Sequence, residues 1–418
     1  MVKVSFLGAM GCVGASGILL ETGSEKILID YGTKPSETPP KFPLPAGRVD
    51  CILLSHAHLD HSGAVPLLMK DNSPPVYALE VTKELTELLL LDSIKISHEE
   101  GISLPFTKQH VEQTIQNFVP LDYRKKFRIG STEFVFLDAG HIPGSAMIYL
   151  KTGRQKILYT GDFNNINTRL LKAYDHELPE VDTLIIECTY SDRDHPERKS
   201  EEKELVRIVE ETIAKDGVAL ISAFAVGRAQ EVLLILHKHG IDYPVYLDGM
   251  AKNATTIINK HRNFLKEPNS LDLALENVTY VKPRMRKKLI KEPCVIVTTS
   301  GMLSGGPIVQ YIKALYANES CSLLLTGWQL EGTPGRILLE TGRFIGDGLD
   351  LEVRMLVKRL DLSAHAGRSG LIEFIKKVAP KKVFCIHGDH TEEFACELRE
   401  KGFDAVAPLA NNRSFVLD

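Results

Sequence analysis

The chain has 418 residues, too many for one comfortable hydrophobic core, so two domains are expected. Its net charge of −4 argues against a strongly basic protein that coats nucleic acid, although a local basic groove or bound cations can still attract phosphate. No apolar run approaches the roughly 20 residues that span a membrane, and the amino-terminal KVSFLG predicts a short strand rather than a secretory signal.

Four apolar segments near the amino terminus predict short strands: KVSFLG, GILLET, KILIDYG and, after a proline-rich loop, CILLSH. Helices are predicted at 81–100 and 111–118. Four further strands then follow, namely EFVFLDAGH, AMIYLKT, KILYTGDF and TLIIECTY. Many of these strands end in a histidine or a charged residue, which is typical of a packed sheet whose loops at one edge hold the chemistry.

After Ser191 the pattern changes, because short apolar runs from VALISAFA to CSLLLTGW alternate with predicted helices. These helices are predicted at 226–239, 251–264, 284–291 and 308–318. Such alternation is typical of a parallel α/β unit. Two glycine-rich turns, SGMLSGGP and EGTPGR, follow apolar runs in this region.

The segment CILLSHAHLDHSG places His56, His58, Asp60 and His61 within six positions, directly after a predicted strand. Alternate residues of an extended chain point the same way, so His56 and His58 can close on one metal ion. Asp60 and His61, at the start of the following helix, can close on a second ion. A polar turn that is merely rich in histidine is the alternative, but the spacing favours a two-metal site.

Three other apolar strands end in a ligand-type residue beside glycine, and these residues are His141, Asp162 and His387. Each one alone fits a structural role, but their occurrence in a chain that also carries HxHxDH favours a shared metal site. None of the seven cysteines has CxxC spacing. Most of them lie in apolar runs, so we expect reduced core thiols in a cytoplasmic protein rather than metal ligands.

The order of these motifs along nearly the whole chain resembles the metallo-β-lactamase superfamily: Asp30, HAHLDH, His141, Asp162, Glu187, His365 and His387. More narrowly, it resembles the β-CASP branch of archaeal CPSF-like and RNase J-like ribonucleases. The middle region resembles the β-CASP domain through AFAVGRAQE, VYLDGMA, TSGMLSGGP and LTGWQLEGTPGR. The resemblance implies an α/β protein, a metallo-β-lactamase αββα sandwich with an inserted parallel α/β cap. The sandwich would comprise 1–192 and 356–418, and the β-CASP domain 193–355.

By matched position, the resemblance implies two cation sites with the following ligands: His56, His58 and His141 for the first, Asp60, His61 and His387 for the second, and Asp162 for both. Asp30 is expected to serve catalysis by orienting these ligands without binding metal itself. The imidazole-rich donor set predicts two Zn²⁺ ions, with Mn²⁺ as the alternative. Two such cations can lower the pKa of a bound water towards neutrality.

The resemblance also implies a general acid, because His365 in DLSAH matches the histidine that gives a proton to the leaving 3′-oxygen. Glu187 in IIECTY matches the carboxylate that holds this histidine. From the residues alone, Glu187 fits a cap on the following turn equally well. His365 alone could be an acid, a metal ligand or a core residue, and the resemblance favours the acid.

Within the β-CASP branch, a histidine at the last ligand motif accompanies RNA enzymes, so His387 favours RNA over DNA. The run HGDH has Asp389 where relatives often have glutamate, a change that keeps the charge. We therefore expect a ribonuclease that hydrolyses single-stranded RNA as a 5′→3′ exonuclease, an endonuclease or both, in RNA processing or decay. A homodimer or a larger RNA-processing or decay complex is compatible with the resemblance. The alternatives are a DNA nuclease, a non-catalytic RNA-processing subunit and a small-molecule hydrolase.

Contacts to the RNA backbone are expected from the glycine-rich turns and from two arginines: Ser300, Gly301, Ser304, Gly305, Gly306, Arg228 and Arg336. Successive backbone N–H groups and serine hydroxyls at a strand-to-helix turn form a natural phosphate cradle. Glycines needed only for a tight turn, and arginines that form ion pairs between domains, are the alternatives. Trp328, the single tryptophan, could stack on a base or fill a core or interface.

Overall fold

The computed structural model describes residues 2–35 and 37–417 and divides the chain into two compact units. The first unit combines Met1–Asn167, Ala173–Asp194 and Ala364–Asp418, and the second combines Thr168–Lys172 with His195–Ser363. The boundaries predicted from the sequence were 192/193 and 355/356. The observed second unit therefore begins and ends later, and it also includes the short segment at 168–172.

The first unit begins with strands that are separated by short loops and three helices. The strands are β1 (Val2–Phe6), β2 (Gly17–Glu21), β3 (Lys26–Tyr31), β4 (Cys51–Leu53), β5 (Val76–Leu79), β6 (Phe118–Leu121), β7 (Lys126–Ile129), β8 (Thr132–Asp138), β9 (Ala146–Thr152), β10 (Gln155–Tyr159) and β11 (Thr183–Glu187). The α-helices are α1 (Leu59–Ser62), α2 (Glu80–Glu99) and α3 (Lys108–Gln116), and Val65–Lys70 forms a 3₁₀ helix.

The second unit alternates strands with helices, as its sequence pattern predicts. Its strands are β12 (Val218–Ser222), β13 (Val245–Leu247), β14 (Val278–Tyr280), β15 (Cys294–Thr298), β16 (Ser322–Leu325), β17 (Arg343–Gly346), β18 (Leu349–Glu352) and β19 (Leu356–Arg359). Its α-helices are α4 (Arg198–Ile213), α5 (Arg228–Lys238), α6 (Ala251–Lys260), α7 (Ser270–Leu275), α8 (Arg286–Leu289), α9 (Pro307–Leu315) and α10 (Pro334–Thr341). Arg262–Phe264 and Pro283–Met285 form short 3₁₀ helices.

The chain then returns to the first unit and completes it. This last part consists of α11 (Arg368–Val378), β20 (Lys382–Ile386), α12 (Thr391–Glu400), β21 (Ala405–Val406) and β22 (Ser414–Leu417). Among the described residues, the first unit contains two seven-stranded sheets, in the orders β22-β1-β2-β3-β4-β5-β6 and β21-β20-β11-β10-β9-β8-β7. Both sheets mix parallel and antiparallel pairs.

The two sheets of the first unit pack face to face through aromatic side chains. The rings of Phe6 in β1 and Phe384 in β20 lie 5.2 Å apart, and those of Tyr77 in β5 and Phe134 in β8 lie 5.8 Å apart. Buried residues of α11 and α12 cover the outer face of the second sheet, and the 3₁₀ helix at 65–70 packs on the first. This is the four-layer sandwich expected from the sequence.

The second unit is built on a six-stranded parallel sheet, in the order β14-β13-β15-β12-β16-β19 among the described residues. Every residue of β12, β15 and β16 is buried, because helices cover both faces of such a sheet and its strands become continuous apolar runs. The prediction of an α/β fold with an inserted parallel domain is confirmed.

The glycine-rich segment EGTPGR was interpreted as a turn, but its second half begins helix α10. Thr333 is the N-cap of this helix, and its hydroxyl accepts a hydrogen bond from the N–H of Arg336 at 3.4 Å. Pro334 occupies the first helical turn, where a missing N–H costs nothing. Threonine followed by proline was therefore a helix-start signal that the glycines concealed.

Within residues 2–35 and 37–417, none of the helices combines the length and the apolarity that crossing a bilayer requires.

A buried carboxylate fastens the segment 168–172 to the rest of the second unit. Glu231 in α5 accepts hydrogen bonds from the N–H groups of Arg169 (2.9 Å) and Leu170 (2.7 Å). The guanidinium of Arg198 in α4 donates a third bond to it at 2.6 Å. Burial opposes ionisation, but the charge of Arg198 outweighs it and lowers the pKa of Glu231.

Replacing Glu231 should therefore destabilise the second unit strongly. Glu231→Gln leaves the buried guanidinium of Arg198 without its counter-charge, a change that typically costs about 3–5 kcal/mol. Trp328, the only tryptophan, lies in the second unit, so its emission during urea denaturation reports this loss. Glu211→Gln is the control, because its carboxylate pairs with Arg207 on the exposed surface and should leave the midpoint almost unchanged. Equal midpoints for both variants would contradict this account.

Candidate metal centre

The ends of several strands of the first unit bring the histidines and aspartates of the sequence motifs together. His56 and His58 follow β4, Asp60 and His61 lie in α1, His141 follows β8, Asp162 follows β10 and His387 follows β20. The loop after β4 packs directly on the chain after β3. A Cβ at Gly32 would lie 1.7 Å from the carbonyl oxygen of Asp60, so only glycine allows this approach.

We call His56, His58, His141 and Asp162 the first group, since one ligand atom from each lies within 4.8 Å of the others. His58 Nδ1 and His141 Nε2 are 3.2 Å apart. Asp162 Oδ2 lies 3.6 Å from His56 Nε2 and 3.8 Å from His141 Nε2. Three imidazole nitrogens and one carboxylate oxygen therefore converge on one point.

The second group consists of Asp60, His61, Asp162 and His387, and its ligand atoms also lie within 4.8 Å of one another. Asp162 Oδ1 is 3.3 Å from His61 Nε2 and 3.3 Å from His387 Nδ1. Asp60 Oδ2 lies 3.4 Å from His387 Nε2. The two oxygens of Asp162 thus face different groups, so a single carboxylate joins both.

These groups fit divalent cations because four of their ligand atoms lack other partners. His56 Nε2, His61 Nε2, His387 Nε2 and Asp162 Oδ1 are buried without a hydrogen-bond partner among the described residues. Buried polar atoms are nearly always satisfied, so four orphaned atoms in one place indicate a missing binding partner. Imidazole and carboxylate donors without cysteine suit a divalent metal ion.

Hydrogen bonds on the far side of three of the rings leave a lone pair for the cation. His141 Nδ1 donates to the carbonyl oxygen of Ala364 at 2.8 Å, and His61 Nδ1 donates to Asp30 Oδ2 at 2.7 Å. His56 Nδ1 lies 3.1 Å from the hydroxyl oxygen of Ser55. A proton on Nδ1 makes Nε2 the lone-pair atom, which is the nitrogen that faces the groups.

Asp30, the residue expected to orient ligands, lies at the centre of this arrangement and is fully buried in β3. Its carboxylate accepts four hydrogen bonds, from the N–H of Ser55 (2.7 Å), the hydroxyl of Ser55 (2.7 Å), the phenol of Tyr159 (2.8 Å) and His61. Ser55 and Tyr159 were missed by the sequence analysis. Their signal was their position, since Ser55 directly precedes His56 and Tyr159 ends the strand three residues before Asp162.

The surroundings of the buried groups favour neutral imidazoles in the first group. In the second group they favour a charged imidazole beside carboxylates. Burial, followed by the neighbouring His61, holds the pKa of His56 well below its ordinary value, and burial does the same for His141. Burial also opposes a proton on His61, but the carboxylates of Asp162 and Asp60 outweigh it and raise the pKa of His61. A cation in the second group would take over this role and release the proton.

A further pair stands beside the first group. His365 Nδ1 lies 3.0 Å from Glu187 Oε1, and the ring centroids of His365 and His141 are 4.4 Å apart. Glu187, buried at the end of β11, is itself held by the N–H of Phe163 at 2.9 Å. Although burial opposes protonation, the carboxylate of Glu187 raises the pKa of His365 to about 9. Glu187 thus favours a proton on the imidazole that lies next to the first group.

The residues expected to contact RNA all lie in the second unit. Ser300, Gly301, Ser304, Gly305 and Gly306 form the turn between β15 and α9, where Ser304 and Gly306 are exposed. The guanidinium of Arg228 donates to the carbonyl oxygen of Thr326 at 2.6 Å. Arg336 pairs with Glu340 at 2.5 Å and also lies over the ring of Trp328.

Removing the shared carboxylate should empty both groups. Asp162→Ala is expected to lose most of the bound divalent metal that the parental protein carries, because the two oxygens of Asp162 serve different groups. Elemental analysis after gel filtration measures this directly. Asp175→Ala is the control, since that carboxylate pairs with the exposed Arg124 in the same unit and should leave the metal content unchanged. An Asp162→Ala protein with the parental metal content would refute the shared role.

Comparison with known proteins agrees with this architecture. Three family descriptions match the chain: "Metallo-beta-lactamase superfamily" over residues 10–214, "Beta-Casp domain" over 229–338 and "Zn-dependent metallo-hydrolase RNA specificity domain" over 350–408. A solved structure of a protein of unknown function from Enterococcus faecalis V583 has a TM-score of 0.64 and 16% sequence identity, with 100% of both chains covered. That likeness supports the fold.

Several archaeal proteins are similar over nearly the whole chain. The "Probable RNase MJ4" of Methanocaldococcus jannaschii is 40% identical over 97% of this chain and 98% of its own length. The "RNase aCSPSF2" of Saccharolobus solfataricus is 36% identical over 97% of this chain and 83% of its own. The "Transcription termination factor FttA" of Methanosarcina mazei is 35% identical over 94% of this chain and 68% of its own length. The chain therefore belongs to the β-CASP branch of the metallo-β-lactamase superfamily.

Proposed function

We propose that this protein is a metal-dependent ribonuclease that hydrolyses phosphodiester bonds of single-stranded RNA. The observation that carries the proposal is the pair of adjacent ligand groups that share Asp162, with His365 and its partner Glu187 beside them. Two metal sites joined by one carboxylate are typical of enzymes that cut phosphodiesters. The imidazole-rich donor set favours Zn²⁺ at both sites, with Mn²⁺ as the alternative.

His365 is suited to the proton transfer that phosphodiester hydrolysis requires. When bound, the cations would supply an activated water and offset the negative charge of the phosphate. Glu187 holds the Nδ1 proton of His365, so that Nε2 carries the second proton and can give it to the leaving 3′-oxygen. Asp30, through His61, keeps the second group oriented, and Ala364 does the same for His141.

RNA is the favoured substrate because two of the archaeal relatives are named RNases, and because the carboxyl-terminal match is described as an RNA specificity domain. We infer that the protein acts as a 5′→3′ exonuclease, an endonuclease or both. We place this activity in RNA processing or decay. The protein would act as a homodimer or in a larger complex. The contacts to the RNA backbone would come from the turn at 300–306 with Arg228 and Arg336. The cysteines remain thiols, five of them buried, which supports a cytoplasmic location.

Cleavage of nascent RNA in transcription termination is a second candidate, because relatives named termination factors match 94% of this chain. The chain aligns with 98% of the RNase relative from Methanocaldococcus jannaschii but with 68% of the termination factor from Methanosarcina mazei. This difference favours the ribonuclease. A DNA nuclease and a non-catalytic subunit remain the alternatives to be separated by experiment.

The test of the proposed function compares single-stranded RNA with DNA of the same sequence. Each is labelled at the 5′ or the 3′ end and carries a 5′-monophosphate or a 5′-triphosphate. The purified protein should cut RNA and leave DNA largely intact, and a chelator should abolish cleavage until Zn²⁺ or Mn²⁺ is restored. Preferential cleavage of DNA would favour the DNA nuclease. Metal-loaded protein that cuts neither would favour the non-catalytic subunit.

His365→Ala should separate catalysis from metal binding. We expect the variant to keep its metal content and melting temperature but to cleave about 10²–10⁴-fold more slowly, the usual contribution of a positioned proton donor. Single-turnover rates and elemental analysis of the same preparation measure the two properties. His98→Ala, a change on the exposed face of α2, is the control and should keep the parental metal content and cleavage rate. Cleavage by His365→Ala at the parental rate would show that another group supplies the proton.

A further inference from the structure

An exposed aromatic ring stands at the carboxyl end of the parallel sheet in the second unit. Phe224 follows β12, and 38% of its surface is exposed. The chain segments that follow β15 and β16, the two strands that flank β12, carry Gly301 and Gly327. Ligands of open parallel sheets bind outside the carboxyl ends of the strands, so this edge is where a ligand of the unit is expected.

The two glycines form the seat of this ring. A Cβ at Gly301 would lie 3.1–3.2 Å from three neighbouring ring atoms of Phe224, so the glycine backbone lies against one face of the ring. A Cβ at Gly327 would lie 3.5 Å from the far edge. The buried amide of Gln329 donates to the carbonyl oxygens of Gly301 (2.9 Å) and Gly327 (3.2 Å) and so ties the two segments together. The ring is held in place although it is exposed.

Two guanidinium groups lie over the ring of the residue that follows Gly327. Trp328, the residue after Gly327, has the guanidinium of Arg359 at 4.9 Å from its ring centroid and that of Arg336 at 5.7 Å. Arg228 is fixed to the carbonyl oxygen of Thr326. The indole of Trp328 is thus engaged by cations, whereas Phe224 presents an aromatic surface to solvent. Arg359 ends β19, so it lies at the same carboxyl edge of the parallel sheet as Phe224. Aromatic rings and guanidinium groups along one edge can bind single-stranded nucleic acid, through base stacking and phosphate contacts.

We propose that Phe224 is the stacking platform for one unpaired base of the RNA substrate, and that Arg359 contacts the phosphate beside that base. This inference rests on the proposed ribonuclease function and deepens it, because it gives a physical reason for the preference for single strands. In a duplex both faces of a base are covered by its neighbours, so only an unpaired base can place a face on the ring.

Binding of a fluorescein-labelled single-stranded oligoribonucleotide, followed by anisotropy, tests the platform. The metal-loaded His365→Ala protein serves as the background, since it slows cleavage without removing metal. In this background Phe224→Ala should weaken binding about 5- to 100-fold, the range that one lost stacking contact covers. Phe224→Trp should retain the affinity, and Phe224→Leu should not, because leucine keeps the bulk but lacks the aromatic face.

Tyr243→Ala is the matched control, because Tyr243 is 40% exposed in the same unit but precedes β13 at the opposite edge of the sheet. It should leave the affinity unchanged. Oligonucleotides with a single abasic ribose at successive positions locate the stacked base. An abasic ribose at one position should weaken RNA binding by the protein that has Phe224 but not by the Phe224→Ala variant. Loss of affinity at every position alike, or no loss in Phe224→Ala, would overturn the proposal.

Binding is the readout here, so failure of the nuclease proposal remains distinguishable from failure of the platform. A parental protein that binds RNA through Phe224 but cuts nothing would contradict the ribonuclease and keep the platform. If the parental protein cuts RNA, and the Phe224→Ala variant cuts and binds RNA equally well, the ribonuclease proposal stands and the platform is contradicted. Arg359→Gln should weaken binding and also reduce the salt dependence of affinity, because one phosphate contact is lost.

Discussion

The architecture of the first unit depends on one buried carboxylate. Asp30 lies in the first sheet and accepts hydrogen bonds from Ser55, which follows a neighbouring strand, and from Tyr159 in the second sheet. The same carboxylate fixes the Nδ1 proton of His61. Because a buried carboxylate is tolerated only when its acceptor sites are filled, the two sheets must meet in this register for Asp30 to keep its hydrogen-bond donors. The packing of the sandwich and the orientation of the ligands are therefore one constraint.

Much of this was readable from the sequence, because the chemistry is concentrated at strand ends. HAHLDH predicted two neighbouring cation sites from residue spacing alone, and the strand-end positions of His141 and Asp162 predicted further ligands. The structure brings these side chains together. The resemblance to the β-CASP branch, confirmed by the relatives, was needed for Glu187 and His365. Neither has a spacing signal of its own, because the two residues lie far apart in the chain and meet only in the folded unit.

Other features could not be predicted because they depend on backbone atoms or on context. The carbonyl oxygen of Ala364 orients His141, and a backbone acceptor leaves no trace in the identity of the residue. The helix that begins at Pro334 was concealed by glycines, although Thr333 marks its start. Phe224 lay inside the apolar run VALISAFA and looked like any other strand residue. Only the structure shows that its ring is exposed and seated on glycine.

The order in which the chain is made has a consequence for when such an enzyme can work. The last described strand, β22, pairs with the first, β1, and His387 lies beyond the inserted unit. Before the segment that follows the inserted unit is synthesised, β1 lacks its partner strand β22 and the second ligand group lacks His387. The ligand groups can therefore be completed only after the inserted unit has been synthesised.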